Sequence, residues 1–415
     1  MTRRDLLKRA AAAAAFPAIV PQSARGANDR IQVGVIGIGF RANLLIDQLP
    51  EPGRIVALAD CLLARAEEAK ARRNKQWDVY QDYRRILDRK DIDAVIVATQ
   101  DFDRVIPSIH ACQAGKDVYA EKPLTLYPGE GRALVKAARK HKTVFQVGTQ
   151  QRSMEMDQIA CKLVRTGGLG KIKLVQAMNY PDAKPFAGLA EEPKPDNVAW
   201  DVWTGQAPMR PYSAKLVSSW AAYQDYAGGE TTNWGAHGLD MVQMALGMDT
   251  SGPVEFWPLA EPAGGAAFRY ANGVEVRLEV PYGKDNEYLL GGARFLCERG
   301  SIEIWRNNFR IDAPGVTLDL PPQEDIDKWR DQRALWQAQY HMGFWLECIP
   351  SRRRPNADVE TGHRSVTVCH LANLARRLNR TLRWDPKEEQ VIGDKEANAL
   401  ALARPRRKGW ELPKI

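Results

Sequence analysis

Two rhythms of apolar and polar positions divide the chain. Between residues 31 and 150, short, mostly apolar strand-like runs recur at 31–36, 55–59, 94–98, 118–120 and 143–147. Helix-compatible stretches at 40–49, 62–73, 82–87, 103–114 and 128–140 separate them. A short run without polar alternation is a strand buried on both faces, and strands that alternate with helices run parallel. This part therefore predicts a doubly wound α/β sheet. After residue 150 the rhythm changes: 171–178 and 274–280 alternate with period two, and strand-like runs follow at 293–298 and 301–305. Period two leaves one face wet, as in a large, mostly antiparallel open sheet. Helices predicted at 330–348 and 358–379 complete an α+β second part. Between the two rhythms lies 181–229, which carries six prolines from Pro181 to Pro211 and no clear periodicity. Its aromatics, including Trp200, Trp203, Tyr212, Trp220, Tyr223 and Tyr226, predict an ordered segment rather than a linker.

The beginning of the chain follows neither rhythm. Residues 1–9 read MTRRDLLKR, and an alanine-rich apolar run over 10–20 precedes Pro21 and small residues near Ala24 and Gly26. A basic start with adjacent Arg3 and Arg4 before such a run is the pattern of a twin-arginine export signal. Residues 1–29 are expected to be that signal, and the remainder to work in the periplasm. The apolar run falls well short of the roughly 20 residues that span a bilayer, and no other stretch qualifies, so no stable membrane association is expected after export. The rest suits two domains, 30–150 and 151–415.

The formal charge is +8, but it collects at the ends. Residues 1–29 hold five Lys/Arg against two Asp, and 403–415 hold five against one Glu. A nucleic-acid patch would have to be RPRRK at 404–408, which reads as a solvated tail, so no nucleic-acid partner is expected. The six cysteines show no C-x-x-C and no metal-ligand spacing, so neither a metal nor a disulfide framework is expected.

The candidate chemistry begins at 31–42, IQVGVIGIGFRA. A strand leads into Gly37-Ile38-Gly39, and Phe40, Arg41 and Ala42 open a helix. Gly37 permits the tight turn, and Gly39 lets a pyrophosphate approach backbone N–H groups at the helix N-terminus. Asp60 closes the second strand, placed to accept hydrogen bonds from adenosine ribose hydroxyls. Its carboxylate would repel a 2′-phosphate, so the expected cofactor is NAD, with NADP disfavoured. Glu121-Lys122-Pro123 follows another parallel strand, at the carboxyl end where such sheets place their ligands. A partly desolvated lysine there can act as general acid/base toward a hydroxyl. Gly148-Thr149-Gln150-Gln151-Arg152 sits at the domain junction. Thr232–Asp240 reads TNWGAHGLD, in which His237 and Asp240 are spaced to share a helix face.

Together these motifs resemble the glucose–fructose oxidoreductase/inositol dehydrogenase (Gfo/Idh/MocA) family over nearly the whole mature length. The matches are Gly37-x-Gly39, Glu121-Lys122-Pro123 and Gly235-x-His237-x-x-Asp240. The resemblance implies a two-domain fold, a nicotinamide cofactor, a cis Lys122–Pro123 bond, and Lys122 and His237 facing a sugar or cyclitol. Lys122, His237 and Asn233 are then the catalytic candidates. Gly37, Ile38, Gly39, Phe40, Arg41, Asp60, Thr99, Glu121, Lys122 and Gln150 are the cofactor candidates. Lys122, Arg152, Tyr180, Trp200, Trp203, Asn233, His237 and Asp240 are those for substrate. Two positions depart from the family. Asn233 stands where its catalytic aspartate is expected, and 98–104 reads ATQDFDR without the usual proline and histidine. An amide hydrogen-bonds but cannot serve as a base.

The expected activity is an NAD-dependent oxidoreductase moving hydride at a secondary hydroxyl of a sugar, glycoside or cyclitol. The alternative is a glycoside hydrolase, lyase or hydratase that oxidises transiently with bound NAD and no net redox. A non-catalytic sugar-binding protein is the third reading, against which the intact Lys122 and His237 stand. A homodimer or homotetramer is expected, since a period-two sheet leaves a broad face to cover. NAD is expected to stay tightly bound, because a periplasmic protein meets no pool from which to refill.

Overall fold

The computed structural model describes residues 30–331 and 338–415, so the leader expected over 1–29 lies outside the described residues. The first half builds β1 (Ile31–Ile36), α1 (Phe40–Gln48), β2 (Gly53–Ala59), α2 (Leu63–Arg72), β3 (Asp78–Tyr80) and α3 (Arg84–Leu87). It continues through β4 (Ala94–Val97), α4 (Val105–Gln113), β5 (Asp117–Ala120), α5 (Pro128–Lys140) and β6 (Phe145–Val147). The six strands form one parallel sheet in the order β3-β2-β1-β4-β5-β6. The order reverses between β1 and β4, which opens a crevice at the carboxyl ends of those strands. Residues such as Val33, Val35, Val95 and Ile96 are fully buried, as both-faced apolar runs require.

The second half runs α6 (Glu155–Arg165), β7 (Ile172–Met178), α7 (Trp200–Thr204), α8 (Ala214–Ser219), α9 (Gly229–Asn233) and α10 (Gly235–Leu246). Then come β8 (Glu255–Pro258), β9 (Ala266–Arg269), β10 (Glu275–Val280), β11 (Ala293–Cys297), β12 (Gly300–Trp305) and β13 (Asn308–Asp312). The C-terminal part holds α11 (Gln323–Asp331), α12 (Ala338–Ser351), α13 (Val359–Leu378), β14 (Leu382–Asp385), β15 (Gln390–Val391) and α14 (Lys395–Leu402). Nine strands make a second sheet in the order β13-β12-β11-β7-β10-β9-β8-β14-β15, antiparallel except where β7 pairs with β10. Alternation decides its faces. Val276, Leu278, Phe295, Ile302 and Ile304 bury against Leu239, Val242, Val368 and Leu371 of α10 and α13. On the other face Arg277 pairs with Glu275, and Arg294 with Glu303.

Two C-terminal helices reach back. Met342, Trp345 and Leu346 of α12 join Leu45, Val35 and Tyr119 in the core on one side of the first sheet. Val359 and Val366 of α13 join Leu134 and Val118 on the other side, while Val368, Leu371 and Ala372 belong to the second core. One helix thus serves both sheets and fixes them to each other.

The segment 181–229 is ordered by its aromatics. Phe102 sits edge-on to Trp203 at 5.5 Å and Tyr226 at 5.0 Å, and Trp200 stacks on Trp203 at 4.5 Å. The basic C-terminus departs from the solvated tail expected of it. Arg404 and Arg406 both pair with Glu130, at 3.0 and 2.6 Å, and Glu130 is 1% exposed. Arg407 pairs with Asp201 at 2.6 Å and donates to the Gly205 carbonyl. Its partners lie far back in the sequence, so a local reading of charge could not find them. All six cysteines are free thiols, five of them buried. No helix among the described residues is long and apolar enough to cross a membrane.

Candidate active site

The crevice at the carboxyl ends of β1, β2, β4 and β5 continues into the second domain as one cleft of about 830 Å³. The glycine turn forms its floor. Gly37 has φ +84°, and a Cβ there would lie 2.8 Å from the Thr99 backbone nitrogen, so both conformation and space demand glycine. Gly39 is different: a Cβ there would meet nothing within 4 Å, because the position faces open cleft. The α1 N-terminus behind it has no side-chain cap and no acidic residue in its first turn, leaving N–H groups for an anion. Asp60 closes the turn. Its Oδ2 accepts from the Ile38 N–H at 2.6 Å and its Oδ1 from the Leu62 N–H at 2.8 Å. Burial pushes its carboxyl up, against the pull of those two bonds. An open cradle, an uncapped helix and a buried acid just after β2 fit a dinucleotide. Gly37, Ile38, Gly39, Phe40, Arg41, Asp60, Thr99, Glu121, Lys122 and Gln150 all line this cleft.

At its inner end, Glu121 follows β5 and is 3% exposed. Its Oε1 accepts from Arg41 Nε at 2.8 Å and Gln150 Nε2 at 3.0 Å. Burial opposes its charge, but Arg41 prevails and holds the carboxyl below its usual range. Lys122 follows, joined to Pro123 by a cis peptide bond. Its Nζ donates to Asn233 Oδ1 at 2.6 Å and to the Asn233 carbonyl at 3.1 Å. Burial lowers the ammonium to about 8, against the opposing pull of Glu121 and Asp101. His237, in the first turn of α10, is 5% exposed and lines the same cleft. Burial, then Lys122 and Arg306, push its imidazole well below the ordinary range, so it is neutral at physiological pH. Its Nδ1 is buried without a hydrogen-bond partner.

Five expected substrate residues do not reach the cleft, and this corrects the sequence reading. Arg152 and Asp240 form a buried ion pair, with Nε 2.9 Å from both carboxylate oxygens, and Ser365 also donates to Asp240. Asp240 does lie one turn beyond His237, but α10 carries it toward α13 and away from the opening. The Tyr180 hydroxyl accepts from the Gly291 N–H at 2.9 Å, in a small cluster with Met178 and Leu289. Trp200 and Trp203 stack in the aromatic cluster behind the wall, and the segment presents Val202, Val217, Trp220 and Ala227 to the cleft instead.

The cleft also contains residues that sequence reading missed. Glu230 accepts from Asn233 Nδ2 at 3.0 Å. Asp101 is buried near Lys122, and burial raises its carboxyl to about 6. The Arg306 guanidinium lies 5.1 Å from the Trp234 ring centre. Glu230 and Asp101 flank recognised motifs, and that was their signal. Arg306, beyond β12, had none.

Two family models match the chain. One, described as an oxidoreductase family NAD-binding Rossmann fold, covers residues 31–149; the other, an oxidoreductase family C-terminal alpha/beta domain, covers 184–412. Among curated proteins, the chain is 30% identical over 142 residues to a 2,7-anhydro-N-acetylneuraminate hydratase of Mediterraneibacter gnavus, covering 33% of this chain and 36% of that one. It is 29% identical over 147 residues to a scyllo-inositol 2-dehydrogenase (NAD(+)) of Bacillus subtilis, covering 34% and 42%. The alignments thus span less than half the length of these relatives. Among solved structures, a dehydrogenase from Bordetella pertussis in complex with NADH and UDP-GlcNAcA superposes with a TM-score of 0.61 at 18% identity, covering 86% of this chain and 99% of that one. That likeness is one of fold. With both halves matched in order, the chain belongs to the Gfo/Idh/MocA oxidoreductase family.

Proposed function

We propose that this protein is an NAD-dependent oxidoreductase acting on a secondary hydroxyl of a sugar, glycoside or cyclitol. The observation that carries the proposal is Lys122. Its amine is poised near neutral pH, at the end of β5, in the same cleft as an open glycine turn. Gly37, Gly39 and the α1 N-terminus would hold the pyrophosphate, and Asp60 the adenosine ribose. NAD, when bound, supplies the hydride acceptor.

The chain's own groups handle the proton. Two N–H groups of Lys122 are donated to Asn233, so one position at Nζ faces the cleft. In the neutral amine that position is a lone pair, which can take a hydroxyl proton as the carbon gives up hydride. Neutral His237 can orient the same hydroxyl without adding charge beside Lys122. Trp220 and Trp234 offer ring faces to a sugar.

NAD is favoured over NADP because Asp60 places a carboxylate at the ribose end. Arg65 acts on the Asp60 carboxyl and supports its negative form. Export through the twin-arginine start, tight retention of NAD and a homo-oligomer joined through the open face of the second sheet are parts of the same proposal.

A redox-neutral elimination is the second reading. Asp101 and Glu230 favour it, because they add two carboxyl groups to a cleft that a simple dehydrogenase could run with Lys122 alone. The test is to incubate the purified protein with a panel of carbohydrates and glycosides, following products by mass spectrometry and reduced nicotinamide by absorbance. Net reduced nicotinamide supports the first reading. Product without it selects the second, and no product with any compound counts against both.

A further inference from the structure

Asn233 has two faces of unlike chemistry. Its Oδ1 receives the Lys122 Nζ proton at 2.6 Å, and its Nδ2 donates to Glu230 Oε2 at 3.0 Å. An amide has one accepting and one donating end, so its orientation is set by what lies at each. Glu230 can only accept when ionised, and it therefore fixes the carbonyl end of Asn233 toward Lys122. Without it, the amide could rotate and aim N–H groups at the ammonium, which would repel the charged form of the lysine.

Beyond Asn233, the Glu230 side chain has one other hydrogen-bonding neighbour among the described residues, the Tyr282 phenol. Among the described residues it forms no ion pair with an arginine or lysine, yet it lines the cleft. It lies by the Tyr282 phenol, whose ionisation burial and then Glu230 both oppose. It stands three residues before Asn233 on the single short helix α9. Gly229 starts that helix at φ +65°, against the backbone of Asp182 and Ala183. A Cβ at Gly229 would lie 2.3 Å from the Ala183 nitrogen, so α9 is seated firmly on its neighbour.

We propose that Glu230 is the positioning carboxylate of this site, acting through the Asn233 amide to hold Lys122 in the proton-transfer position. The negative charge that a carboxylate at 233 would supply directly is thereby moved to Glu230, three residues earlier on α9, and Asn233 relays its direction. This deepens the reading of Lys122 as the proton-transfer group and rests on it. Glu121, Asp101, Arg41 and Arg104 also act on Lys122, and His237 faces it from α10, so Glu230 modulates a lysine already surrounded by charge.

The test reads the lysine directly and needs no substrate. Full-length protein is methylated with formaldehyde and cyanoborohydride across a pH series, and labelling at Lys122 is followed by peptide mass spectrometry. The wild-type half-point is expected near 8. Glu230→Gln should lower it by about half a unit, since one nearby negative charge is lost and a glutamine amide, which can present N–H as well as oxygen, no longer enforces the Asn233 orientation. Glu230→Asp, which keeps the charge, should restore most of the shift. With a substrate that is turned over, Glu230→Gln should lower kcat about tenfold with little change in KM.

An unchanged half-point in a Glu230→Gln protein that melts like wild type would overturn the proposal. So would a Glu230→Asp variant that behaves like Glu230→Gln. If Glu230→Gln does not fold, the decision rests on Glu230→Asp and on Asn233→Leu, which cuts the relay and should lower the half-point as far. Failure of the broader reading shows elsewhere: Lys122→Ala would keep its turnover while the labelling shifts stand.

Discussion

A lysine at the bottom of a cleft is useful as a base only when it can lose its proton near neutral pH. Burial brings Lys122 to about 8, whereas an exposed lysine sits at 10.5. The sign of the pH dependence follows. Oxidation of a hydroxyl needs the neutral amine, so its rate should rise with pH and level off above 8. The reverse reduction needs the ammonium and should fall over the same range. A pH profile of both directions checks this; parallel profiles would contradict it. The two glycines should separate in the same way. Gly37→Ala forces a side chain into φ +84° against the Thr99 backbone, and should cost about 1–3 kcal/mol of stability by thermal or denaturant unfolding. Gly39→Ala should leave stability nearly unchanged and weaken nucleotide binding, because its Cβ projects into space the ligand needs. Equal effects of both on unfolding would show that the turn is not divided in this manner.

At the scale of elements, the sequence could be read wherever a segment's environment repeats along the chain. Both-faced apolar runs such as 31–36 and 94–97 gave the parallel strands, and period two gave β7 and β10. Glycine spacing and the Glu121-Lys122-Pro123 motif gave the floor and inner end of the cleft, because those functions depend on adjacent residues. What stayed hidden depends on distant partners. Arg152 looks like a ligand-binding arginine beside a motif until Asp240, on another helix, is seen beneath it. The last arginines look solvated until Glu130 appears under them. That strap yields a prediction of its own. Glu130→Ala leaves Arg404 and Arg406 without their buried counter-charge, and should cost about 3–5 kcal/mol by unfolding. The aromatic segment tied through Arg407 to Asp201 should loosen with it, seen as faster proteolysis within 200–226. Wild-type stability in this variant would mean the tail is merely laid on the surface.

The whole molecule is two sheets held by one shared helix, with the cleft between them. The covered face of the second sheet is apolar, and its other face is a lattice of ion pairs such as Arg277 with Glu275 and Arg294 with Glu303. A second copy meeting that face would do so through polar contacts as much as apolar ones. Light scattering at micromolar concentration should report a dimer or tetramer, weakened by salt; a monomer would contradict this. The retention of NAD proposed above would be a property of the whole protein as well. Glycine turn, helix N-terminus and Asp60 would act on one ligand together, and a half-life of hours would suit a dissociation constant near about a nanomolar, or roughly −12 kcal/mol. Protein dialysed without nucleotide should remain active, and empty protein that recovers fully on adding NAD would contradict tight retention.

The most direct measurement is a single turnover with the nucleotide already loaded. Wild type and Lys122→Ala, each carrying the same measured amount of NAD, are mixed with a carbohydrate that the wild type consumes, and reduced nicotinamide is followed by absorbance. Wild type should give a burst stoichiometric with bound nucleotide, and Lys122→Ala one at least about 10²-fold slower. An equal burst in Lys122→Ala, or consumption of substrate with no reduced nicotinamide at any time, would contradict hydride transfer gated by this lysine.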